Sequence, residues 1–191
     1  MKNLYRPVYA LLILLFFLSC KRDRSDVTKP PNGNEQELIT TVKVILTNTA
    51  NSSDVREVMF RDIDGPGGNV PVVGSLSLPA GTIYTGEIIL LDETKTPVDS
   101  ISNDVYDERN DHQFFYIVSG ADLSISYQSG DVDDFAVPIG LKPLFSVGNT
   151  TGSGTLTVIL KHQPGVKPTS GTGDFTKGDT DVEVTFDVSI F

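Results

Sequence analysis

The chain holds two histidines, each at an end of an alternating run, and one of them follows a run of acids. His112 lies in "DERNDHQFFY", after Asp107, Glu108 and Asp111 and before a string of aromatics. His162 closes "GTLTVILKH". If His112 opens a strand, its side chain shares a face with Phe114, Tyr116 and Val118. By the same parity His162 shares a face with Leu156, Val158 and Leu160. Each imidazole then sits on an inward face, at the rim of an apolar wall. A hairpin between the strand ending at His162 and the one starting in "GDTDVEV" brings Asp179 or Asp181 near His162. Imidazole with carboxylate is a donor set for Zn2+, and less specifically for copper, nickel or iron. The ligands expected are His112 and His162, with Glu108, Asp111 or Asp181 completing the set. The two rims coincide only if the two strands run antiparallel. The alternative is two unrelated histidines, each hydrogen-bonded to a local acid.

A second acid-rich stretch is "RDIDGPGGN". Asp62, Asp64 and Gly65 resemble the opening of a Ca2+ loop, where alternate carboxylates converge on a hard cation, and Asn69 offers a further oxygen. An EF-hand is excluded, because the twelfth position from Asp62 is Val73 where a bidentate Glu is required. A tight turn explains the same residues. Catalytic signatures are missing: the chain has no G-x-S-x-G, no H-E-x-x-H and no P-loop. A non-enzymatic protein is the expectation. Phe114, Phe115, Tyr84, Tyr106, Tyr116 and Tyr127 raise a further option, an aromatic surface for protein or glycan in a structural or adhesive module. Alternation predicts that one of Phe114 and Phe115 is exposed.

The elements that position these residues have a period of two. "ELITTVKVILTN", "GTLTVILKH" and "DVEVTFDVSIF" alternate apolar and polar residues, and "VREVMF", "VGSLSL", "IYTGEIILL", "HQFFYIV" and "LSISYQ" also read as strands. "DGPGGN", "QSGD", "GNTTGSG" and "QPGVKPTSGTG" supply turns. Val98, Ile101 and Val105 predict one short helix between Pro97 and Glu108. The expected fold is an all-β, antiparallel, immunoglobulin-like β-sandwich of eight or nine strands with one short helix, over residues 37–191.

The start of the chain reads as an address. Lys2 and Arg6 precede the apolar run Val8–Leu18, which is shorter than the about 20 residues of a spanning helix and fits a secretory signal. "FLSC" then resembles a lipobox, so residues 1–19 are expected to be a lipoprotein signal peptide and Cys20 its lipidated residue. Residues 20–36, with Pro30-Pro31 and Asn32-Gly33, read as a flexible tether. Cys20 is the one cysteine, so no disulfide can form within the chain. The formal net charge of −10 repels nucleic acid and draws cations.

"ELITTVKVILTN", "RDIDGPGGNVPV", "YTGEIILLDETKTPV", "DERNDHQFFY", "PIGL", "GTLTVILKHQPGVK" and "GDTDVEVTFDVSI" together resemble a group of small lipoproteins of Bacteroidetes-type outer membranes. The likeness runs in order from Glu37 to Ile190. Members are often labelled as having a type 1 periplasmic binding fold, a parallel sheet flanked by helices; the two-residue period here argues for the sandwich instead. The resemblance implies a cell-envelope protein on the outer membrane, facing the periplasm or the surface. It also implies an accessory role in nutrient uptake beside a TonB-dependent receptor, with His112 and His162 at matching positions. The acid-rich segment that follows the cysteine in many surface-exposed members is replaced by "CKRDRSD".

Overall fold

A computed structural model describes residues 38–191. The expected signal peptide, Cys20 and the tether lie outside the described residues. The described part is all-β, with one short helix. Its strands are β1 Thr41–Asn48, β2 Val55–Arg61, β3 Val72–Val73, β4 Ser75–Leu78, β5 Ile83–Leu91, β6 His112–Ser119, β7 Leu123–Tyr127, β8 Pro143–Val147, β9 Gly152–His162 and β10 Asp179–Ile190; the helix α1 spans Ile101–Asp107.

Two sheets form, one in the order β3-β2-β1-β5-β8-β7 and the other β4-β10-β9-β6. Their inner faces share one core, because alternation sends Val42, Val44 and Leu46 of β1 to the same interior as Leu156, Val158 and Leu160 of β9 and Val184, Phe186 and Val188 of β10. All of these side chains are buried. Burial on this scale drives the pairing, since each large aliphatic or aromatic side chain removed from water contributes about 1.5–3 kcal/mol.

Among the described residues the count is ten strands where the periodicity predicts eight or nine, and one pairing is parallel, β4 on β10. Both departures have local causes. "VGSLSL" breaks at Gly74: β3 pairs with β2 in the first sheet, and β4 pairs with β10 in the second. A Cβ on Gly74 would stand 3.1 Å from a Val58 methyl and 3.3 Å from the Met59 carbonyl oxygen, so the crossing wants a bare backbone. The remaining strand, β8, is five residues long and opens on a proline, which hides it from a pattern search. It nevertheless alternates, with Pro143, Phe145 and Val147 inward.

The helix occupies the predicted stretch. Ile101 and Val105 are buried, and the Ser102 hydroxyl accepts the Leu90 N–H at 2.7 Å, which fastens α1 to the end of β5. This seat sets where Glu108, at the C-terminal end of the helix, comes to lie.

Candidate metal centre

The strands that end in the two histidines are neighbours. β6 and β9 run antiparallel with His112 directly opposite His162, so the two rims are one rim. The imidazoles stack with ring centroids 4.5 Å apart and planes 7° from parallel. Phe114–Leu160 and Tyr116–Val158 continue the same face below them.

Glu108 reaches this pair from the end of α1. Its N–H donates to the Asp104 carbonyl at 2.8 Å, the Asp111 N–H donates back to the Glu108 carbonyl at 2.9 Å, and the turn delivers the chain to His112. Ligand atoms of Glu108, His112 and His162 all lie within 4.8 Å of one another. Among the described residues no other set of three metal-ligating side chains comes so close. Donors on one tetrahedral zinc stand about 3.3–3.5 Å apart when bonds are about 2.0–2.1 Å long, so small side-chain rotations bring the three into range.

The tautomer of His112 follows from its partners. Nδ1 lies 3.2 Å from the Glu108 carbonyl oxygen. That oxygen can only accept, so Nδ1 carries the proton and Nε2 presents its lone pair. Nε2 points toward Asp181, whose Oδ2 is 3.6 Å away; both side chains are only 3 % exposed. Two bonds of about 2.0–2.1 Å to a shared ion span that distance at an angle near tetrahedral. Burial pushes the His112 pKa below its usual value, and the His162 ring adds to this, outweighing the opposite pull of the Glu108 carbonyl and of the Glu108 and Asp111 carboxylates. A neutral imidazole is the form that ligates metal.

Asp181 arrives by an irregularity in the ladder. Thr180 pairs with Lys161 and Val182 with Leu160, leaving Asp181 as an extra residue in β10. Such a bulge re-aims a side chain. The register also puts Asp179 opposite His162, while Asp181 is the acid that meets His112. Asp111 is outside the three-residue cluster: its carbonyl accepts the Gln163 N–H at 2.6 Å, and its carboxylate acts on His112 only through the field.

The Asp62–Asn69 stretch is built as a turn. Asp62 Oδ1 accepts the Gly65 N–H at 3.1 Å, and Asp64 Oδ2 accepts the Asn69 backbone N–H at 2.9 Å and its side-chain N–H at 2.6 Å. These bonds from Asn69 hold the Asp64 carboxyl below its usual range. A Cβ on Gly68 would meet Asp64 Cγ at 2.4 Å, so the carboxylate lies where only glycine fits.

The aromatic surface does not form as predicted. Both Phe114 and Phe115 are buried, because Phe175 from the segment between β9 and β10 covers Phe115 with ring centroids 6.1 Å apart. Tyr84 is fully buried, and Tyr127 turns its hydroxyl to the Phe114 carbonyl at 2.8 Å. Tyr106 is left exposed.

Sequence reasoning missed what holds this covering segment. Buried Gln163 donates to the carbonyls of Asp174 and Lys177 at 2.7 and 3.0 Å, and buried Gln113 donates to the Thr172 carbonyl at 2.9 Å. Lys167 Nζ donates to the Arg109 and His112 carbonyls at 2.5 and 2.8 Å. Desolvation pushes the Lys167 pKa down, against the pull of Asp133. The signal that could have exposed this was length, since a long connection between paired strands is expected to do something.

No family model, no curated protein and no solved structure matches this chain.

Proposed function

We propose that this chain is a non-enzymatic, lipid-anchored envelope protein that binds a divalent transition-metal cation, zinc foremost, as an accessory to outer-membrane uptake through a TonB-dependent receptor. One observation carries the reading. His112 and His162 are direct cross-strand partners with stacked rings, and Glu108 offers a third donor within 4.8 Å. Nitrogen and carboxylate donors together favour zinc over calcium, which takes oxygen alone. With Asp181 the set has two neutral imidazoles and two carboxylates, which balances a divalent charge. Three donors cluster; with Asp181, 3.6 Å from His112 Nε2, as the fourth, a tetrahedral zinc is filled with no position for a reacting water, which is the arrangement of capture rather than catalysis. The acidic surface favours cation encounter.

Calorimetry tests the site. Titrating zinc into the full chain gives one bound ion, and His112→Ala combined with His162→Ala removes the binding. Binding equal in both proteins, or absent from both, contradicts the reading. Labelled palmitate incorporated by the full chain and not by Cys20→Ala tests the anchor.

A further inference from the structure

Behind the histidine rim lies a buried charged pair that the cation site does not use. Lys167 Nζ stands 2.9 Å from Asp133 Oδ2, with the two side chains 2 % and 0 % exposed. The contact is an ion pair at close range. Nζ gives its hydrogen bonds to the carbonyls of Arg109 and His112, and Asp133 Oδ2 accepts none. The other oxygen is well held: Oδ1 accepts the N–H groups of Phe135 and Val137, each at 2.9 Å. A tight turn aims these donors, closed by the Asp133 N–H on the Val137 carbonyl at 2.8 Å and by Ala136 at φ 62°.

This arrangement has the parts of an acyl-transfer site. A nitrogen is fixed beside a carboxyl group. Two backbone N–H groups sit on the oxygen that would carry the negative charge of a tetrahedral adduct, and water is excluded. We propose that Lys167 and Asp133 join in an intramolecular isopeptide bond. The ammonium first passes a proton to Oδ2, giving an amine and a carboxylic acid. The Nζ lone pair then attacks Cγ, forming the C–N bond, while Oδ1 takes the charge under the Phe135 and Val137 N–H groups. A second Nζ proton moves to Oδ2, the Cγ–Oδ2 bond breaks, and that oxygen leaves as water. Ammonium plus carboxylate become amide plus one water, with no oxidant and no co-reactant. The product keeps Oδ1 on the same two donors and keeps one N–H for a neighbouring carbonyl.

The bond would tie the segment between β9 and β10 to the segment between β7 and β8, next to His112. It would constrain the unfolded chain as a disulfide does, in a sequence whose one cysteine allows no disulfide within the chain.

Mass spectrometry decides the matter. The denatured full chain is expected one water lighter than its sequence, and its tryptic digest is expected to hold a branched peptide joining the stretch around Asp133 to the stretch around Lys167. Lys167→Ala should show neither feature. The measurement on the unaltered chain is decisive even if that variant fails to fold. A chain at full sequence mass overturns the proposal. So does a water loss mapped instead to a cyclic imide at Asp64-Gly65, the other chemistry that removes one water. Zinc binding plays no part in this outcome.

Discussion

"RDIDGPGGN" and "DERNDHQ" look alike as sequence, both acid-rich and both next to a strand end, yet they fold into opposite situations. In the first, the Asp62 and Asp64 carboxylates accept backbone and side-chain N–H groups, Asp62 half-buried and Asp64 exposed, serving a turn. In the second, the acids flank a buried imidazole whose lone pair faces a carboxylate across 3.6 Å. Acid content does not separate the two. What separates them is whether the neighbouring strand register supplies a second nitrogen. β9 places His162 opposite His112, and nothing comparable faces Asp64.

The largest effect that separates the two stretches is on metal binding. Asp62→Asn with Asp64→Asn is expected to leave zinc uptake unchanged by calorimetry, while replacing both histidines by alanine abolishes it. Stability should divide the same way. Lys167→Met removes the proposed bond to Asp133 and leaves that carboxylate buried without its partner beneath the histidine rim, which costs about 3–5 kcal/mol, read as a lower denaturant midpoint. Asp64→Ala removes exposed bonds only, and its midpoint should move far less. Asp181→Ala removes one of the four proposed donors and should weaken zinc binding measurably; an unchanged affinity would remove Asp181 from the set.

The smallest effect is on the pH dependence of stability. His112 has its folded pKa below the ordinary value of 6.5. The unfolded chain therefore binds the proton first, and stability is flat above that value and falls as pH drops below it. Asp64 has its folded pKa below 3.8, so its stabilising share is present above that value and is lost only in stronger acid. Urea midpoints for His112→Gln and Asp64→Asn against pH should show these two windows separately.

Much of this was legible because it depended on parity. Alternation in "HQFFYIV", "GTLTVILKH" and "DVEVTFDVSIF" put His112 and His162 on inward rims, since a two-residue period leaves no other choice once the core face is known. Sharing of the rim was not legible, because strand order is a long-range property. Asp181 was a candidate from the hairpin with β9, but expected beside His162; that it meets His112 was hidden by the bulge between Thr180 and Val182, which shifts parity by one residue without a composition signal. Burial of Phe115 was hidden too, because its cover comes from "QPGVKPTSGTGDF", a stretch with the make-up of a solvent loop. Lys167 belongs to the same class of miss: a lysine just before a proline in a Gly-rich connection reads as exposed until a distant aspartate is found beside it.

The central claim is that two cross-strand imidazoles hold one ion. X-ray absorption at the zinc edge of the loaded full chain counts them directly. The account predicts two imidazole rings per zinc in a four-coordinate shell with oxygen completing it. A shell of oxygen alone, with no imidazole scattering, would contradict it.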